Sequence, residues 1–154
     1  MMDKSSEQLR QIQEAIGSLD PLVKSYLETI TYDYMITQIY AEFEEEINKI
    51  LREYLYSDNI LTNNYLNYQK KLHRGLEISD ITSILRDLKV IGKGDVLYSD
   101  KISTTHHQFL DIRHKLTHTI HKERTTDLKI EDIVTNTKKI LEQLSEVFGN
   151  YAKK

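Results

Sequence analysis

Cysteine is absent from this 154-residue chain, and proline occurs once. Without cysteine there is no disulfide, no thiolate metal site and no cysteine nucleophile. One proline and five glycines leave little to punctuate the chain, and alternating strand-like runs are missing, which argues against a sheet-based fold. No run approaches the roughly 20 apolar residues needed to cross a bilayer. The opening "MMDKSSEQLR" lacks the apolar core of a signal peptide, so a cytoplasmic protein is expected. Excess positive charge is missing too. A net charge of -3 argues against nucleic-acid binding by bulk electrostatics and leaves room only for a local basic patch.

What remains is a polar composition, 39% apolar and 29% charged, as a large exposed area or burial shared with a second copy would produce. The length suits one domain with its own core. Heptad-like spacing recurs almost throughout, so the chain reads as all-α, a bundle of four to six helices. Residues 1–19 read as an N-terminal helical extension and 20–151 as the core. A first helix is expected over about 6–18. Asp20 can cap the second and Pro21 fits its first position; its pattern runs to about Tyr56, with a bend expected near Thr29 to Thr31. Met35, Ile36, Ile39, Tyr40, Phe43, Ile47, Ile50, Leu51 and Tyr54 form its apolar stripe. A break at "YSDNILTNN" precedes a helix over about 61–73. Ser79 or Asp80 starts another through Lys89, and Gly92 and Gly94 mark a loop. Ser103 to Thr105 can cap a histidine-rich helix, and the clearest helix spans about 130–151.

Five of the six histidines fall between His106 and His121, around "FLDIRHKLTHTIH" at residues 109–121. Stepping about 100° per residue from Phe109 puts Phe109, Ile112, Leu116 and Ile120 on one face. His107, Asp111, His114, His118 and His121 lie opposite. Arg113 falls near the edge of the core stripe, about 140° from His118. The two can grip one phosphate only if the helix unwinds between them or a second chain supplies one of them. Three chemistries fit such a segment. It can be an ordinary wet face. It can bind metal through His114 and His118 at i,i+4, with Asp111 or His107 third, although the glutamate of an HExxH helix is missing. Or it can serve phosphodiester chemistry: imidazole moves protons near neutral pH, and guanidinium clamps phosphate.

"FLDIRHKLTHTI" resembles the signature of HEPN domains, a helix carrying arginine and, four to six residues on, histidine; Ile112, Arg113, Leu116 and His118 meet it. "IYAEFEEEINKIL", residues 39–51, is similar to the early HEPN helix with its aromatic, small and acidic residues, and points to Glu44. The likeness covers roughly residues 32–151 in helix order. It implies an up-and-down bundle and a metal-independent endoribonuclease needing no cofactor. It implies a homodimer whose two motifs line one cleft, and a toxin or phage-defence role with an antitoxin or regulatory partner. His118 would then be the principal acid/base, Arg113 the phosphate clamp, His114 a substrate-orienting group, and Glu44 the carboxylate holding Arg113. His114 replaces the asparagine or aspartate common after the arginine, and Ile120 replaces a tyrosine that one toxin branch uses for inactivation by nucleotidyl transfer.

RNA would be held by Lys122 and Arg124 beside the motif, and by Lys70, Lys71 and Arg74 in "NYQKKLHRG", with Tyr65 and Tyr68 as stacking surfaces. The alternatives are a non-catalytic HEPN-like interaction module and, behind it, a histidine-rich metal-binding bundle.

Overall fold

The computed structural model describes residues 1–55, 76–118 and 128–152, apart from the side chains of residues 54, 55, 118, 151 and 152. Among these residues there are five α-helices and no strand, an all-α bundle: α1 (Asp3–Gly17), α2 (Pro21–Leu55), α3 (Ile78–Asp87), α4 (Asp100–His118) and α5 (Ile130–Ala152). The helix expected over 61–73, and its basic run, lie outside the described residues.

α2 is the spine. Asp20 starts it: its carboxylate accepts the Leu22 N–H at 3.0 Å and its carbonyl the Lys24 N–H at 2.7 Å, with Pro21 at the first helical position. The helix continues unbroken through Thr29 and Thr31. Their hydroxyls bond back to the Ser25 and Leu27 carbonyls, at 3.1 and 2.7 Å. At 35 residues it is roughly 50 Å long.

The other helices arrange themselves along it. α1 runs antiparallel to α2, bringing Ser5 to Glu42 and Gln8 to Tyr34. α4 is also antiparallel, pairing His106 with Phe43 and Arg113 with Tyr40. α5 runs parallel to α2, from the Tyr32 hydroxyl on the Leu128 carbonyl (2.8 Å) to Leu144 beside Ile47 and Leu51. The Tyr98 hydroxyl donates to the Ile140 carbonyl at 3.0 Å, and the Asn136 amide to that of Ile102 at 3.1 Å, tying α5 to α4 and its approach. Phe43, Phe109 and Phe148 sit fully buried in a core shared by α2, α4 and α5.

Three helix starts differ from expectation, the first being α1, which begins at Asp3 and not near residue 6. α4 begins at Asp100, with Ser99 as its cap: the Ser99 hydroxyl accepts the Ile102 N–H at 3.3 Å. Ser103 to Thr105 are therefore inside the helix. α3 begins at Ile78, and Asp80 acts from inside its first turn, accepting the Glu77 N–H at 2.9 Å as half of a capping box. α3 ends on Lys89, in the left-handed region at φ 56°. The Val90 N–H returns to the Leu85 carbonyl and the Lys89 N–H to that of Arg86, both at 2.9 Å, the Schellman arrangement usually completed by glycine.

Candidate functional site

Arg113 lies on the part of α4 that faces α2, and it reaches inward. Its guanidinium carbon stands 3.7 Å from the centroid of the Tyr40 ring. A cation over an aromatic face is attracted by the ring quadrupole, by up to about 2 kcal/mol where water is partly excluded. Tyr40 is buried and Arg113 half-buried, so that condition is met.

Tyr40 is itself held on its polar end. Its hydroxyl accepts the Leu76 N–H at 3.2 Å and donates to the Glu44 carboxylate at 3.4 Å. Burial pushes the phenol up to about 12, and the Glu44 charge adds to this; Leu76 and Arg113 pull it back. The hydroxyl therefore stays protonated at neutral pH, a donor rather than an acid or base. Glu44 is exposed, one turn along α2 from Tyr40. It belongs to the cluster, with Tyr40 contacting both it and Arg113.

The Leu76 carbonyl is gripped from the other side by His106, whose Nε2 lies 2.7 Å away. A carbonyl only accepts, so Nε2 carries the proton and Nδ1 is the acceptor of a neutral ring. Nδ1 is buried with no hydrogen-bond partner. The ring lies between Phe43 and Phe109, with centroids 5.0 and 6.0 Å away. Burial pushes its pKa down to about 4. A neutral imidazole packed between two phenyl rings anchors the backbone and takes no part in proton transfer at neutral pH.

The remaining sequence-derived candidates divide clearly. His114 is half-buried beside Arg113. α4 is regular from Asp100 through His118, so Arg113 and His118 stay about 140° apart around its axis. Unwinding between them does not occur. The His118 side chain, Lys122, Arg124, Lys70, Lys71 and Arg74 lie outside the described residues. Of the proposed third metal ligands, Asp111 pairs with Lys115 at 2.7 Å and His107 with Glu77 at 3.0 Å. Among the described residues no group of three or more metal-ligating side chains converges.

Sequence reading placed Tyr40 in the core but gave it no part in the site, and it passed over His106. The helical wheel carries the signal for both: His106 lies seven residues before Arg113 and only about 20° from it in projection. Two polar residues on the buried side of α4 must find partners there: Arg113 meets Tyr40 on α2, and His106 meets the Leu76 backbone just before α3.

No protein-family model, no curated protein and no solved structure matches this chain.

Proposed function

We propose that the protein is a metal-independent endoribonuclease of the HEPN type, acting as a toxin or phage-defence effector. The observation that carries this reading is the Arg113–Tyr40–Glu44 cluster. The arginine of the R-x4-H pattern is fixed on an aromatic platform, with the acidic residue of the earlier helix joined to the same tyrosine. A guanidinium is planar and permanently charged, and its forked N–H donors match the geometry of a phosphate.

In this mechanism the 2′-hydroxyl attacks the adjacent phosphate as His118 takes its proton. The P–O5′ bond breaks and the departing oxygen is protonated. The products are a 2′,3′-cyclic phosphate and a 5′-hydroxyl. Arg113 binds the scissile phosphate and balances the charge that builds in the transition state, and His114 orients substrate or shares the proton transfer. DNA lacks the attacking hydroxyl and is not cut. Because a regular helix separates Arg113 from His118, a second copy of the chain supplies one of the pair. Lys122, Arg124, Lys70, Lys71 and Arg74 hold the RNA strand, and a regulatory protein restrains the activity in the cell.

The test is RNA cleavage by purified protein in EDTA. Arg113→Ala and His118→Ala should each abolish it; equal cleavage by the His118→Ala protein ends the assignment. A second reading, a non-catalytic HEPN-like interaction module, draws on the same stacking, since a half-buried arginine on a tyrosine also braces a helix pair. Wild-type protein that leaves RNA intact and is harmless on expression would favour it.

A further inference from the structure

The N-terminal half of α2 carries an apolar face that nothing in the described structure covers. Leu22 is 83% exposed and Tyr26 69%, and Val23, Ile30 and Tyr34 are also open. At about 100° per residue these five positions fall within an arc of roughly 120°. Leu19, in the turn before the helix, is exposed beside them. The exposed parts of the six side chains sum to roughly 600 Å², since each large side chain offers on the order of 100–200 Å². That is the upper end of what a monomer leaves open and most of the ~800 Å² each partner contributes to a standard interface.

The charge pattern narrows the occupant. In a chain with 29% charged residues, the stretch 21–37 has only Lys24, Glu28 and Asp33. Lys24 and Glu28 approach each other to 4.0 Å, and both line the groove beside α1, away from the open arc. Asp33 alone falls on it. Charge depletion with tyrosines at the centre is the composition of an interface core. A membrane surface would call for lysine or arginine along the rim, and the arc has none. A nearly uncharged apolar strip is complementary to itself, so it can meet its own copy across a two-fold axis without opposing like charges at its centre.

We infer that this face, centred on Tyr26 and Ile30, is where a second copy of the chain docks through the same face. The inference rests on the two-chain part of the ribonuclease reading and names the face; a folded face variant that stays two-chain overturns the face alone, whereas a single-chain wild type overturns both.

Sedimentation equilibrium of the full chain should return twice the 18.2 kDa protomer mass in the micromolar range. Tyr26→Glu/Ile30→Glu should return the protomer mass, with association weakened roughly a hundredfold or more, and an unchanged helical spectrum and melting temperature. Both side chains are solvent-exposed in the protomer, so folding should not suffer. If that variant fails to fold, Leu22→Ser/Tyr26→Ser should still shift the equilibrium toward protomer. A wild-type protein that stays a single chain at high concentration overturns the inference, and so does a folded variant that remains two-chain. Either outcome would assign the face to a different partner or to none.

Discussion

Arg113 and Tyr40, 73 residues apart in the chain, meet with the guanidinium carbon 3.7 Å from the ring centroid. Tyr40 also touches Glu44 and the Leu76 backbone through its hydroxyl. One tyrosine therefore uses its face and its edge for different purposes, and substitutions can separate them. Tyr40→Phe keeps the face and leaves the Leu76 N–H without its acceptor; unfolding should become easier by about 1–2 kcal/mol, read by urea titration. Tyr40→Leu removes the stacking as well. On the proposed ribonuclease reading, RNA cleavage by Tyr40→Leu should fall further than that of Tyr40→Phe, by roughly tenfold, the equivalent of about 1.4 kcal/mol. Equal cleavage by the two variants would show that the ring face does not matter to Arg113.

His106 makes stability depend on acid. Its folded pKa is lowered to about 4 from an ordinary 6.5, by burial first. Between those values the unfolded chain binds the extra proton and the folded one does not, so stability rises with pH across that window. On acidification it is lost progressively from about 6.5 down to about 4, by on the order of 3 kcal/mol. His106→Leu should flatten this part of the stability–pH curve while lowering stability at pH 7 through loss of the Leu76 bond. A His106→Leu curve as steep as wild type would mean that other groups carry the acid sensitivity.

Glu42 caps a helix other than its own. Its buried carboxylate accepts the Lys4 N–H at 3.1 Å and the Ser5 N–H at 2.8 Å, together with the Ser5 hydroxyl. These are first-turn amides of α1, at the positive end of the helix dipole. Glu42→Ala should cost about 1–3 kcal/mol and raise amide hydrogen exchange in α1 before the rest of the bundle. Uniform loss of protection across all helices would contradict a local capping role.

Lys89 holds a left-handed backbone at the end of α3, where a β-carbon is unfavourable. Lys89→Gly should raise the melting temperature by the equivalent of about 0.5–1 kcal/mol. A drop would indicate that the lysine side chain contributes more than the backbone strain costs.

Much of this was legible along the chain. The stripe from Met35 to Leu51 is buried as its spacing implies, and Ile130, Ile133, Val134, Ile140, Leu141, Leu144 and Phe148 hold the core face of α5. Long-period patterns survive folding because they are averaged over many turns. Single polar residues are not averaged. Glu42, Glu44, Glu45 and Glu46 are interchangeable in composition, yet Glu42 is buried against α1 and Glu44 is exposed beside Tyr40. Which carboxylate turns inward depends on where α1 returns along α2, and no local pattern encodes that. The start of α4 was misplaced for a related reason: "SDKIST" offers several capping hydroxyls, and the one that accepts the Ile102 N–H is Ser99, next to Tyr98, whose hydroxyl bonds the Ile140 carbonyl on α5.

Composition and periodicity by themselves determined that the chain is helical, where its main apolar faces run, and that Arg113 lies at the edge of an apolar stripe, about 140° around the helix from position 118. Those are properties of one helix, set by a fixed angle per residue. The tertiary structure alone decided that Arg113 stacks on Tyr40, that His106 and Tyr40 grip the two sides of one peptide residue, and that the first half of α2 is left uncovered. Each of these joins segments distant in sequence, and such contacts exist only once several helices have settled their mutual directions.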